Sequence, residues 1–206
     1  VECDGTGNLA TLANWLSTRG GASATDNCGN VTWSNDFSGL SDGCGVTGSA
    51  TVTFTATDEC GNPSMTTATF TIEDTTDPFW VNMPTDLTVE CDGAGNTAEL
   101  NAWLTSFTAD DQCGSATVTN DFTALSDDCG ATGSATVEFT ATDECGNDIM
   151  KSATFTIEDT TDPFWVNMPS DLTVECDGAG NTAELNAWLA SFTADDQCGS
   201  ATVTND

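Results

Sequence analysis

The chain copies itself. VECDG stands at Val1, Val89 and Val174, and Val174–Asp206 matches Val89–Asp121 at every position but one, where Thr105 becomes Ala190. An interval of 85 residues (Val89 to Val174) exceeds the roughly 20–50 residues of solenoid units. Each copy can therefore bury a core of its own. An enzyme has little reason to repeat itself in tandem at near identity; a rope, a stalk or a filament does. The period divides the chain into 1–77, a first repeat without its opening strand, 78–162, a complete repeat, and 163–206, the start of a third. The sequence opens and closes inside repeats, which reads as a stretch of a longer polymer, the alternative being that a neighbouring chain completes each end by strand donation.

Repeats this short sit where burial is marginal and crosslinks are commonly added. Each of the first two carries four cysteines: Cys3, Cys28, Cys44 and Cys60, then Cys91, Cys113, Cys129 and Cys145. An even count in a small domain reads as two disulfides and an extracellular, oxidising location. Zinc is the competitor, but the close C-x₂₋₄-C pairs of zinc sites are missing.

Charge narrows the partners. Thirty-three acidic residues face only Arg19 and Lys151, with no histidine. Nucleic acid is excluded, because phosphate binding needs clustered Lys and Arg. An anionic membrane surface is disfavoured for the same reason, and no run is long and apolar enough to span a bilayer.

Within the second repeat, Pro78 and Pro84 keep Asp74–Cys91 extended, and Leu87, Val89 and Cys91 alternate with polar residues. Asn96 with Glu99 reads as a helix cap, followed by Leu100, Trp103, Leu104 and Phe107 on one apolar face. Leu12, Trp15 and Leu16 repeat that face, as do Leu185, Trp188, Leu189 and Phe192. Ser115–Phe122 is a candidate strand. Ser134–Cys145 alternates cleanly, with Val137, Phe139 and Ala141 inward. After a Gly-Asn turn, Ala153, Phe155 and Ile157 are inward, which makes a hairpin. The outward threonines, such as Thr51, Thr53, Thr55 and Thr57, follow strand propensity. The fold expected is mainly β: tandem immunoglobulin-like β-sandwich domains, each with one short amphipathic helix and two disulfides.

The runs ATDNCG, TFTATDECGN and TATFTIEDTTDP resemble the HYR-like and related immunoglobulin-like repeats of large Bacteroidota surface proteins secreted by the type IX system. The resemblance covers essentially the whole chain. It implies a secreted, surface-displayed fibre of many domains and implies no catalytic activity. The chain departs from that pattern in its helix, which replaces an early strand, and in the extra cysteines of VECDG and DDCG.

A sandwich topology lets the crosslinks be guessed. Alternating strand directions put VEC and DDC at one end of a repeat, and DQC and TDEC at the other. Pairing like ends gives Cys3–Cys44, Cys28–Cys60, Cys91–Cys129 and Cys113–Cys145, with the partners of Cys176 and Cys198 outside the sequence. The same placement gathers carboxylates where repeats meet: Glu73, Asp74, Asp77, Asp110 and Asp111, joined by Asp4, Asp42, Asp143 and Glu144, then Glu158, Asp159, Asp162, Asp195 and Asp196. Hard oxygen ligands of this kind suit Ca²⁺, though solvated turn residues would look the same. No D-x-[DN]-x-[DN]-G loop is present.

Catalysis finds no foothold. Serine and cysteine have no histidine to activate them, no Walker-type loop occurs, and the carboxylates recur in every copy. Thr75 and Thr160, each in Asp-Thr-Thr, resemble the O-glycosylation acceptor of Bacteroidota. The reading is a non-catalytic extracellular filament or cell-surface stalk, its partners being neighbouring copies of the repeat. The alternative is an adhesin whose repeats bind glycans or surfaces directly.

Overall fold

The structure is a computed structural model and describes Val1–Asn205. It is mainly β, in several small sheets. The elements in chain order are α1 (Leu9–Ser17), β1 (Thr32–Asn35), β2 (Gly48–Thr57), β3 (Pro63–Ile72), β4 (Phe79–Asn82), β5 (Leu87–Glu90), α2 (Thr97–Leu104), β6 (Thr108–Asp110), β7 (Ala116–Asn120), β8 (Gly133–Asp143), β9 (Asp148–Glu158), β10 (Phe164–Asn167), α3 (Thr182–Leu189) and β11 (Thr193–Asp195). Two compact units cut across the sequence repeats. One is Val1–Met83 with Phe107–Thr119 and Thr140–Met150; the other is Pro84–Ser106 with Asn120–Phe139 and Lys151 onward.

In the first unit the sheet order is β1-β2-β3, with β2 and β3 antiparallel in unbroken register from Gly48↔Ile72 to Thr57↔Pro63. Strict alternation fixes the buried face: Val52, Phe54, Ala56, Phe70 and Ile72 point inward. Trp15 of α1 closes on that face, 5.4 Å from both Phe54 and Phe70. Leu12 and the cysteines Cys3 and Cys113 complete the cluster. A cysteine from the second repeat thus sits in the core formed by the first.

The second repeat builds the sheet β5-β9-β8-β7, in which β5 runs parallel to the end of β9. The expected inward residues are buried: Val137, Phe139, Ala141, Ala153, Phe155 and Ile157. In the second unit Trp103 packs edge-on against Phe139 at 5.2 Å and tilted on Phe155 at 5.5 Å. Its indole N–H donates to the Thr85 carbonyl. Leu100 is buried beside it in sequence, whereas its counterpart Leu185 in α3 is 48% exposed. Across the hairpins, outward threonines meet in pairs, Thr51 with Thr69 and Thr136 with Thr154.

One local expectation is corrected. Asn96 does precede α2, but in the left-handed region (φ 47°) and without a side-chain cap bond. Its side chain turns back into the preceding loop, accepting from the Asp92 N–H and donating to the Glu90 carbonyl. The Asp92 carboxylate answers by accepting the N–H groups of Ala94 and Asn96. Asp4 with Asn8 and Asp177 with Asn181 repeat the arrangement. The motif C-D-G-x-G-N therefore encodes a self-bonded loop rather than a capping box.

Candidate functional site

Each repeat carries two complementary loops. One is a Cys-Asp-Gly turn, at Cys3–Gly5, Cys91–Gly93 and Cys176–Gly178, which we call the socket. The other is an Asp-Asn/Gln-Cys-Gly loop, at 26–29, 111–114 and 196–199, which we call the plug.

In the first unit the socket at Cys3 holds the plug at Cys113 through a disulfide whose Cα atoms lie 6.0 Å apart. The second unit repeats this with Cys91 and Cys198 at 5.9 Å. A further bridge, Cys44–Cys145, belongs to the first unit. The three span 110, 101 and 107 residues, so every bridge joins one repeat to the next. In the chain-entropy account a bridge closing a loop near 100 residues stabilises by about 4.7 kcal/mol.

These bonds replace the expected pairings. Cys3–Cys44, Cys91–Cys129 and Cys113–Cys145 do not form, and Cys198 finds its partner within the chain. Cys28, Cys60, Cys129 and Cys176 are exposed thiols. Cys28 and Cys60 come from neighbouring loops, since Glu59 accepts both the backbone N–H and the side-chain amide of Asn30, yet they are not bonded. The expectation placed cysteines at repeat ends but paired them inside a repeat. The contacts run between repeats instead, because backbone from one repeat seats directly on the other.

Glycine makes that seating possible. A Cβ on Gly5 (φ +75°) would lie 2.7 Å from the Gln112 carbonyl oxygen, closer than real Cβ atoms come. Gly45 (φ +55°) faces the Cys113 carbonyl, which accepts the Val46 N–H at 2.9 Å. Gly93 and Gly130 meet Gln197 and Cys198 in the same way, and the Ala131 N–H donates to the Cys198 carbonyl. Only glycine allows both this backbone conformation and this approach.

The carboxylates are sorted by this junction. Asp74 and Asp111 converge beside Cys113, with candidate ligand atoms within 4.8 Å of one another; Asp159 and Asp196 do so beside Cys198. Burial raises the Asp74 pKa, and the neighbouring charges of Asp111, Asp143 and Glu2 raise it further, against the Thr76 N–H that lowers it. Asp143, also among the carboxylates expected at the junction, is buried. Burial opposes its ionisation, but four donors, from Asn147, Gly146 and Cys145, outweigh it and hold its pKa low. The Asn147 amide also donates to the Asp74 carbonyl, tying that hairpin tip to the chain between repeats.

Most of the predicted ligands stand apart from the clusters. Glu73, Asp77, Asp110, Glu158, Asp159, Asp162 and Asp195 are exposed, and of these only Asp159 falls in one. The sulfurs of Cys113 and Cys198 are engaged in disulfides, so each cluster offers a hard cation two carboxylates, short of the six to eight oxygens Ca²⁺ takes.

The threonines singled out for glycosylation are held by a clamp that sequence reading missed. Glu2 accepts from the Thr75 N–H and from the hydroxyls of Thr75 and Thr76. Glu90 does the same with Thr160 and Thr161. A sugar on the Thr75 or Thr160 oxygen would remove a donated proton. The co-repetition of VEC with DTT was the signal available.

The backbone N–H of Thr160 and then the two hydroxyls lower the Glu90 pKa from the usual 4.5. A carboxylate with a depressed folded pKa contributes above its unfolded value and loses that contribution as pH falls through the folded one. The Glu90 carboxyl ¹³C resonance is therefore expected to titrate below pH 4.5, with the Thr160 amide moving alongside it. A midpoint at or above that value would show the clamp absent in solution.

No family model matches the chain, and no curated protein matches it. Twenty-one chains of solved structures match it. One is Drosophila N-cadherin EC1-4, at 13% identity and TM-score 0.28, covering 64% of this chain and 42% of that one. Protocadherin gammaB7 appears as an EC3-6 cis-dimer, at 16% identity and TM-score 0.32 over 72% of this chain and 46% of that one. It also appears as extracellular cadherin domains 1-4, at 16% and 0.27 over 61% and 36%. The chain spans less than half the length of each, and likenesses this weak carry no argument about ligand, partner or role.

Proposed function

We propose that the chain is part of an extracellular filament or cell-surface stalk, and that its work is mechanical. The observation that carries this is the bridging pattern: all three disulfides join one repeat to the next. An array whose repeats are crosslinked to their neighbours resists extension in a way that separately stapled domains do not. The disulfides support an oxidising compartment. The charge of −31 at pH 7 keeps such molecules apart. Among the described residues, no helix is long and apolar enough to cross a membrane.

Calcium is a secondary part of the proposal. Asp74, its pKa raised first by burial and then by the charges of Asp111, Asp143 and Glu2, faces a concentration of negative charge that a cation would relieve, with Asp74 and Asp111 as ligands and water completing the shell. Asp159 and Asp196 would form the second such site. Electron micrographs of native material, recorded with and without EDTA, test both parts. Uniform filaments are expected, stiffer in calcium. A stalk ending in a distinct binding tip would favour adhesion instead, and unchanged stiffness after EDTA would remove calcium from the account.

A further inference from the structure

Two of the three bridges lie beside paired carboxylates. In the first unit the Cys113 sulfur sits with carboxylate oxygens of Asp74 and Asp111, all within 4.8 Å of one another. The Cys3 sulfur, bonded to that of Cys113, brings a fourth ligand atom to the same place. The second unit repeats the set with Cys198, Asp159 and Asp196, joined by Cys91. The third bridge, Cys44–Cys145, belongs to no such group among the described residues. Two details point to a cation rather than to idle turn acids. Asp111 is 7% exposed, yet one of its oxygens accepts the Cys113 N–H and no other donor among the described residues reaches the carboxylate. The Gly5 N–H donates to the Cys3 sulfur, and the Gly93 N–H to that of Cys91. A hydrogen bond to the charged form of a group favours that form, so these donors favour thiolates once the bridges open.

We propose that opening either bridge turns its cluster into a four-ligand site for a divalent cation of the zinc class, with Cys3, Cys113, Asp74 and Asp111 as ligands in the first unit and Cys91, Cys198, Asp159 and Asp196 in the second. A thiol reductant supplies two electrons and two protons. The S–S bond breaks, two cysteine thiols form, and the reductant leaves as its own disulfide. The cation then displaces both thiol protons, and two thiolates with two carboxylate oxygens complete the tetrahedral shell that zinc takes. With metal–sulfur bonds of about 2.3 Å, the two sulfurs must part to about 3.8 Å. Side-chain rotation covers that, since the Cα atoms already lie 6.0 and 5.9 Å apart. Cysteine spacing along the chain says nothing of this set, because the fold draws its ligands from positions 3, 74, 111 and 113. Calcium in the bridged chain is a separate matter, since it takes oxygen ligands and needs no open bridge.

The test uses the full chain, reduced with dithiothreitol, freed of reductant without oxygen, and titrated with Co²⁺ as a spectroscopic substitute for Zn²⁺. The expected result is thiolate-to-cobalt charge-transfer absorption with the d–d bands of tetrahedral Co²⁺, levelling at two equivalents per chain and lost on adding Zn²⁺. With Zn²⁺ bound, iodoacetamide should label Cys44, Cys145 and the four exposed cysteines while sparing Cys3, Cys91, Cys113 and Cys198. Asp111→Asn and Asp196→Asn should each weaken one site about tenfold or more and leave the other unchanged. Cys44→Ser with Cys145→Ser should leave both unchanged. Labelling of all ten cysteines alike, protection spread to cysteines outside the two clusters, or a cobalt affinity indifferent to Asp111→Asn would each overturn the proposal. The labelling pattern also separates these sites from capture by an unfolded reduced chain, which does not choose among cysteines. Filament stiffness in calcium is read on the bridged chain, so that reading and this one can fail independently.

Discussion

Pulled from its two ends with all bridges intact, the chain is expected to stop extending at roughly 120 Å, and after reduction at roughly 700 Å, taking about 3.5 Å per extended residue. The difference follows from connectivity. Tension entering at Val1 crosses from Cys3 to Cys113, returns through Cys91–Cys113, and crosses again to Cys198. Only about 35 residues lie on that path: the two ends and the 91–113 stretch. The rest hangs in loops that carry no load. Separately stapled repeats, with Cys3–Cys44 and Cys91–Cys129, would leave long unbridged stretches between them and extend far further. Single-molecule stretching with and without a phosphine reductant measures both limits. A long extension under oxidising conditions would show that the bridges close within repeats after all.

Replacing Trp103 with alanine is expected to cost about 3–5 kcal/mol, the range for deleting a buried aromatic from a packed core. Trp103 is 5% exposed, its ring touches both Phe139 and Phe155, and its N–H satisfies the Thr85 carbonyl. Truncation leaves a cavity and an orphaned acceptor together. Trp188, at the same position of the next copy, has a ring partner in Phe192 and the corresponding bond to Ser170. It is only partly buried. Trp188→Ala should therefore change stability by much less. Denaturant unfolding of the two variants gives the comparison, and equal losses would mean that the third repeat carries a core like the second.

The contrast between these tryptophans also shows what could be read in advance. Periodicity placed Trp103 on an apolar helical face and Phe139 and Phe155 on facing strands, because each pattern is set within a dozen residues of chain. Pairing of the cysteines was not legible for a physical reason. Closing a loop of 110 residues instead of the 41 between Cys3 and Cys44 costs less than about 1 kcal/mol more in chain entropy. Sequence separation therefore could not choose between a partner in the same repeat and one in the next. Near identity of the copies removed any other distinction. What decides is contact geometry, carried by Gly5 and Gly45, whose missing side chains let the next repeat's backbone approach. The carboxylates were legible only as a group: Asp74, Asp111 and Asp143 were all placed at the junction, but nothing local separates these from the exposed Glu73, Asp77 and Asp110 placed there with them.

The bridges overlap in sequence, Cys3–Cys113 with Cys44–Cys145 and both with Cys91–Cys198. Every peptide bond between Cys3 and Cys198 is consequently spanned by at least one of them. A protease that cuts once anywhere in that range leaves all the pieces attached, so a nicked strand stays whole. Wherever proteases reach the chain, that is damage tolerance written into the order of its cysteines.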